Sequence, residues 1–153
     1  MSKISKVIYL FFSMVFFILF NFYISHYIIS YGYYLQENPI IDIVLIQNQG
    51  AAFNIFEGYR VFLILFAMSA FICILFYTIK QIKTLSLFTL FFVSLLSAGI
   101  FNNMVERFLF GYVRDFIKIN FVNFPVFNIS DIFINIGVFG IVLIILKRNY
   151  FKD

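Results

Sequence analysis

Charge is scarce in this sequence: 11 Lys and Arg with 7 Asp and Glu amount to 12% of 153 residues, about half the share in an ordinary soluble domain. Tryptophan is absent, and cysteine and histidine occur once each. Cys73, alone in an apolar run, has no partner for a disulfide or a cysteine metal site, and packing is its expected role. His26 alone cannot build a multi-histidine metal centre. No HExxH, GxSxG, Walker or GxGxxG pattern occurs, so familiar hydrolase and nucleotide chemistries fall away. What fills the chain is apolar: 63% hydrophobic residues, with 25 Phe. That composition excludes a soluble monomer and leaves no length for a separate globular domain. The formal charge of +4 does not point to nucleic acid, because the basic residues mostly flank apolar segments.

Apolar runs lie at 7–29, 61–79, 85–101 and 132–146, each long enough for a membrane helix or most of one. With turns added, the predicted spans are about 7–29, 61–79, 85–103 and 128–146, in a single membrane domain of residues 1–153. The first run reads as a retained helix, since it is long, lacks a small-residue cleavage site and precedes three more spans. Lys3, Lys6, Lys80, Lys83, Lys147, Arg148 and Lys152 fall on one side, with Asp153 the only acid there. Arg60, Arg107, Arg114 and Lys118 fall on the other, among Glu37, Asp42, Glu57, Glu106, Asp115 and Asp131. The positive-inside bias puts both termini in the cytoplasm and the loops around 30–60 and 102–131 outside. Within those loops, 41–46 and 121–127 are rich in Ile, Val and Phe and read as short strands at the membrane surface. Tyr31, Tyr33 and Tyr34 suit an aromatic belt there, and His26 an interfacial polar position.

The last apolar run is too short to cross the hydrocarbon core alone. A span of about 20 residues ending at Leu146 reaches back to Phe127 and carries Asp131 roughly one turn inside the boundary. An ionisable group there points to function; a helix N-terminus stabilising an acid explains it equally well. Asp115, in Gly111-Tyr-Val-Arg-Asp-Phe, lies upstream, and an apolar 121–127 segment folded back against the membrane would bring the two together. Two carboxylates sharing a site do not both ionise easily, so one serves as general acid and the other as general base. The alternative is a surface ion pair of Asp115 with Arg114, Arg107 or Lys118.

The blocks Asn48-Gln-Gly-Ala-Ala-Phe53, Asn103-x-x-Glu-Arg107, Gly111-x-Val-x-Asp115-Phe116 and Phe127-Asn-Ile-Ser-Asp131-x-x-Ile134-x-x-Gly137 follow one another in that order. In this the chain resembles the lipoprotein signal peptidases, or signal peptidase II, over its whole length. The resemblance implies an all-α membrane fold of four helices with a small extracytoplasmic β-containing cap. It implies an aspartic endopeptidase of the bacterial inner membrane that cuts a prolipoprotein just before its diacylglyceryl-modified cysteine. By position it makes Asp115 and Asp131 the catalytic pair. Asn48, Gly50, Asn103, Arg107 and Asn128 become the polar set that holds that pair and the substrate. Asn48 and Gly50 equally suit a tight turn. The expected partners are the lipid-modified precursor and membrane lipids, the expected state a monomer, and no metal or cofactor is needed.

The sequence departs from the family pattern in four places. Asn102 stands where Gly is usual, Glu106 where Asp is usual, and Ser130 precedes Asp131 in place of Ala. In the first span an acidic, Lys-bearing stretch is replaced by Phe22-Tyr-Ile-Ser25-His26, so its contribution is expected to be missing or altered. These departures motivate an alternative, a catalytically impaired protein that binds lipoprotein precursors. A small transporter using Asp131 and Arg107 is the other, though no inverted repeat supports it. The outer loop near Asn48 is a candidate lid, and deleting the Tyr33 to Glu37 stretch would test whether turnover depends on it.

Overall fold

Lipid offers no hydrogen bonds to backbone, so apolar segments close their own as helices, and four helices dominate the fold. The computed structural model describes residues 1–31, 39–51 and 55–150. Helices α1 (Lys3–Tyr31), α2 (Arg60–Gln81), α3 (Leu87–Phe110) and α4 (Ile129–Tyr150) are each long and apolar enough to cross a membrane. Two antiparallel strands, β1 (Ile41–Asn48) and β2 (Val113–Ile119), form a small sheet at one end of the helices. Helix α3 is the hub: it packs against α1, α2 and α4, while α1 meets α4 along a narrow seam. The outer faces carry Phe, Leu and Ile, among them Phe12, Phe66, Phe88 and Phe139, as helices solvated by acyl chains require.

Helices α3 and α4 approach through glycine. A Cβ on Gly99 would lie 2.5 Å from the Ser130 carbonyl oxygen, and one on Gly137 would lie 2.8 Å from the Leu96 backbone nitrogen. Small residues are how membrane helices, lacking a hydrophobic drive between them, gain close van der Waals contact. Gly99→Leu should therefore force the pair apart at a cost of about 1–3 kcal/mol and lower the thermal midpoint in detergent. An unchanged midpoint would mean that this contact does not hold the helices.

At the end that carries the termini, Lys6 Nζ donates to the carbonyls of Lys83 (3.0 Å) and Leu85 (2.6 Å), tying α1 to the α2–α3 turn. Ser86 caps α3 by accepting from the Thr89 N–H. At the sheet end, Gly111 closes α3 in the left-handed conformation, φ 90°, which a side chain would strain. Arg60 completes that closure, donating from Nε to Arg107 O at 2.8 Å and from Nη2 to Phe108 O at 2.7 Å.

Several expectations are corrected. The third helix does not end at 103 but continues to Phe110. Its last turns are polar on one side, so hydropathy falls before the helix does, and the Gly111 and Arg60 caps mark the real end. Asn102 accordingly sits within the helix. The second strand is not 121–127 but Val113–Ile119, where β-branched Val113, Ile117 and Ile119 alternate with polar residues. Residues 121–127 contain Asn123 and Pro125 and contribute only a bridge from Phe127 to Ile117. Cys73 faces outward on α2 and does not pack inside. His26 is exposed on α1, and Tyr31 is exposed at its end. Tyr33, Tyr34 and the 33–37 stretch lie outside the described residues.

Candidate active site

The sheet delivers the first carboxylate. Strand β2 buries Val113, Asp115 and Ile117, and Asp115 is only 3% exposed. It lies opposite Ile46 in β1, with Asn48 two pairs along, opposite Val113. From that diagonal position Asn48 Nδ2 donates to Asp115 Oδ2 at 2.8 Å. The Asn48 Oδ1 accepts from the Gly50 N–H at 3.0 Å, an Asx-type turn that locks the amide. Asn48 thus both shapes the turn and bonds Asp115.

The second carboxylate opens α4. Asn128 Oδ1 accepts from the Asp131 N–H at 3.1 Å, and Asp131 Oδ2 accepts from the Asn128 N–H at 3.1 Å. This reciprocal pair is a capping box built from Asn and Asp. Asp131 is thus a first-turn helix acid, and its capping bonds aim it at the same time. Its other oxygen, Oδ1, accepts from Asn103 Nδ2 at 2.9 Å.

Asn128 joins the two acids. Its Nδ2 donates to Asp115 Oδ1 at 2.7 Å while its backbone holds Asp131, and it also reaches Asn103 Oδ1 at 3.3 Å. The predicted approach of Asp115 to Asp131 is made by backbone pairing: Phe127 O accepts from the Phe116 and Ile117 N–H groups at 3.0 and 2.8 Å. Arg107, one turn after Asn103 on α3, donates from Nη2 to Gly50 O at 2.6 Å and from Nη1 to Asn103 O at 3.2 Å. All seven residues singled out in the sequence, Asn48, Gly50, Asn103, Arg107, Asp115, Asn128 and Asp131, belong to this one hydrogen-bonded network.

The ion-pair alternative for Asp115 fails on partners. Arg114 turns instead to Glu106, with Nε 3.0 Å from Oε1 and its backbone N–H 2.8 Å from Oε2. Glu106 thereby clasps the start of β2 against α3. Burial, outweighing the two amide donors, pushes the Asp115 carboxyl up from 3.8 to about 6. A group poised there exchanges protons near neutral pH. A cavity of about 660 Å³ lies elsewhere, between α2, α3 and α4 toward the terminal end. None of the seven residues lines it, so it is separate from the carboxylate site.

Sequence reasoning missed two contributors. Arg60, read only as a charge, caps the helix end that carries Arg107. Asn21 and Ser25, buried on α1, join Ser130 beside Asp131; polar residues one turn apart within an apolar run were the available signal.

The sequence model of the family described as Signal peptidase (SPase) II matches residues 13–147. A lipoprotein signal peptidase of Caldicellulosiruptor bescii is 40% identical over 110 residues, 72% of this chain and 70% of that one. The lipoprotein signal peptidase of Clostridium tetani is 32% identical over 111 residues, 71% of this chain and 70% of that one. Among solved structures, one titled "Bacterial membrane enzyme structure by the in meso method at 2.3 A resolution" superposes with a TM-score of 0.80 at 30% identity, covering 94% of this chain and 91% of its own. With that match across most of its length, in sequence and in fold, the chain belongs to the signal peptidase II family of aspartic endopeptidases.

Proposed function

We propose that Asp115 and Asp131 are the catalytic pair with which this membrane enzyme removes signal peptides from diacylglyceryl-modified prolipoproteins, cutting before the lipidated cysteine. The observation that carries this reading is the single side chain of Asn128, bonded to Asp115 while its backbone N–H and amide oxygen hold Asp131. Two acids held by one residue are placed to divide the work, one ionised and the other protonated. The ionised member takes a proton from water as its oxygen attacks the scissile carbonyl carbon. The protonated member then delivers a proton to the leaving nitrogen as the C–N bond breaks. Asn48, Asn103 and Asn128 hold the carboxyls at fixed angles. Arg107 adds a positive charge beside them, and its buried Nε has no hydrogen-bond partner among the described residues.

Residues 1–153 act as one membrane domain and as a single copy, since one chain supplies the whole network. The basic residues at the terminal end support, through the positive-inside bias, an orientation with both termini in the cytoplasm and the sheet and carboxylates at the outer face of the bacterial membrane. There the substrate's acyl chains remain in lipid beside the apolar helix faces.

The test is incubation of purified protein with a diacylglyceryl-modified prolipoprotein, with products identified by mass. Release of the signal peptide and a new N-terminal lipidated cysteine is expected. Precursor binding without cleavage would favour the impaired-binder alternative motivated by Asn102 and Glu106. The pH dependence adds a second check, because kcat/KM reports ionisations of the free enzyme. With Asp115 near 6, one limb of the profile should fall near pH 6. A limb rising through that value makes ionised Asp115 the base, and a falling limb makes protonated Asp115 the acid. A flat profile from pH 5 to 7 would remove Asp115 from the rate.

A further inference from the structure

Behind the carboxylates, α1 presents a polar contact that the network above does not include. Of the three residues that α1 buries, Leu10, Asn21 and Ser25, two are polar. Asn21 is 4% exposed and Ser130, beside Asp131 in the first turn of α4, also 4%. Asn21 Nδ2 donates to Ser130 Oγ at 2.6 Å, and Ser25 Oγ, one turn along α1, donates to Asn21 Oδ1 at 3.0 Å. The Ser25 bond fixes the amide's rotation, so that its NH2 faces α4.

The same serine is held from the opposite side. Its carbonyl oxygen is where a Cβ on Gly99 of α3 would lie 2.5 Å away. The first turn of α4 is therefore clamped between contact with α3 and a hydrogen bond from α1. The seam between α1 and α4 is otherwise narrow and apolar, with Phe17 edge-on and Phe20 stacked against Phe133, and this bond is a polar tie across it. Asp131 follows Ser130 directly, so rotation of that turn would swing its carboxyl relative to Asp115, which the separate β-sheet anchors.

We propose that Asn21, set by Ser25, is a positioning residue: through Ser130 it fixes the rotation of the α4 first turn and hence the approach of Asp131 to Asp115. The chain thereby braces its active site with a neutral relay from the first helix. Buried amide and hydroxyl partners bring no net charge into the hydrocarbon, and the Asn21 amide is bonded at both its nitrogen and its oxygen.

This inference rests on Asp131 being catalytic, and the experiment separates the two. Cleavage kinetics and thermal midpoints are measured for Asn21→Leu, Ser130→Ala, the double variant, Ser13→Ala and Asp131→Asn in the same lipid. Ser13 is the control: its hydroxyl lies 2.6 Å from Ser94 Oγ, an α1–α3 contact remote from the acids. Asn21→Leu and Ser130→Ala should each lower kcat about tenfold, as small misplacement of a reacting group does, with KM within about twofold. The double variant should be no worse than either single one, because both remove the same bond. Ser13→Ala should leave kcat at the parent value.

Parent-level kcat in Ser130→Ala, the smaller change and the one decisive if Asn21→Leu fails to fold, would overturn the proposal. So would losses that multiply in the double variant, or an equal loss in Ser13→Ala. An active Asp131→Asn would overturn the catalytic reading itself. An inactive Asp131→Asn beside a fully active Asn21→Leu would sink only the brace.

Discussion

Asp115→Asn and Asp131→Asn should each reduce kcat by on the order of 10⁴, because each removes one half of an acid–base pair whose parts act as a unit. Combining them should cost little more, since the residual rate of either single variant already lacks the concerted proton transfers. Asn retains the shape of Asp and can still accept a hydrogen bond, so neither change should cause the fold to collapse. At Asp115 the parent acid itself carries a pH-dependent cost. Its carboxyl titrates near 6 in the folded protein against an ordinary 3.8, so the folded state binds more protons than the unfolded state between those values. Stability accordingly falls as pH rises from about 4 to about 6 and remains lower above that. Asp115→Asn removes the ionisation, so the fall in stability between about pH 4 and 6 should disappear, while its NH2, set against the Asn48 or Asn128 donor, costs part of what the lost burial of charge returns at pH 7. An inactive variant whose thermal midpoint no longer falls over that range would show that this position is kept acidic for chemistry at a cost in stability. If instead Asp115→Asn cleaves at a rate near the parent's, the assignment of the pair is wrong.

The parts of this architecture that were legible in the sequence are those with long-range regularity. Four helices announced themselves through apolar length, and the network's seven residues through ordered short motifs. The boundaries were less visible where polarity and secondary structure part company. Asn102, Asn103, Glu106 and Arg107 make the end of α3 look like a loop, yet each has a helical position, and Arg60, remote in sequence, closes that end. Strand β2 was hidden for a similar reason. Its alternation of Val113, Asp115 and Ile117 places a carboxylate on the buried face, whereas a carboxylate in a sequence pattern reads as outward. The more apolar 121–127 segment attracted the strand assignment, but Pro125 removes a backbone donor there and only Phe127 pairs. Asn21 and Ser25 escaped notice because the sequence does not reveal which face of an apolar helix meets a neighbour. In α1, mostly lipid-facing, two small polar residues one turn apart mark the face that meets the protein.

Asn128 supports the second large prediction, because its substitutions separate helix capping from catalysis. Asn128→Ala deletes the acceptor that caps α4 at the Asp131 N–H and the donor to Asp115 Oδ1. Loss of the cap should cost about 1 kcal/mol of stability. Loss of the amide frees Asp115 Oδ1 and the Asp131 backbone N–H, while the Asp131 carboxyl keeps the residue 128 N–H and Asn103, and kcat should fall by on the order of 10²–10³, the scale seen when one preorganised donor is removed from a reacting centre. Asn128→Ser distinguishes the two effects. Serine is a good N-cap and should restore the thermal midpoint, but its hydroxyl is too short to span from the helix start to Asp115, so the rate should remain low. A serine variant that recovers both stability and rate would show that Asn128 matters only as a helix cap, and the two carboxylates would then owe their alignment to Asn48 and Asn103 alone. Recovery of stability without rate would show that the residue opening the last helix also joins the two acids, one from the sheet and one from the membrane span, into a single catalytic unit.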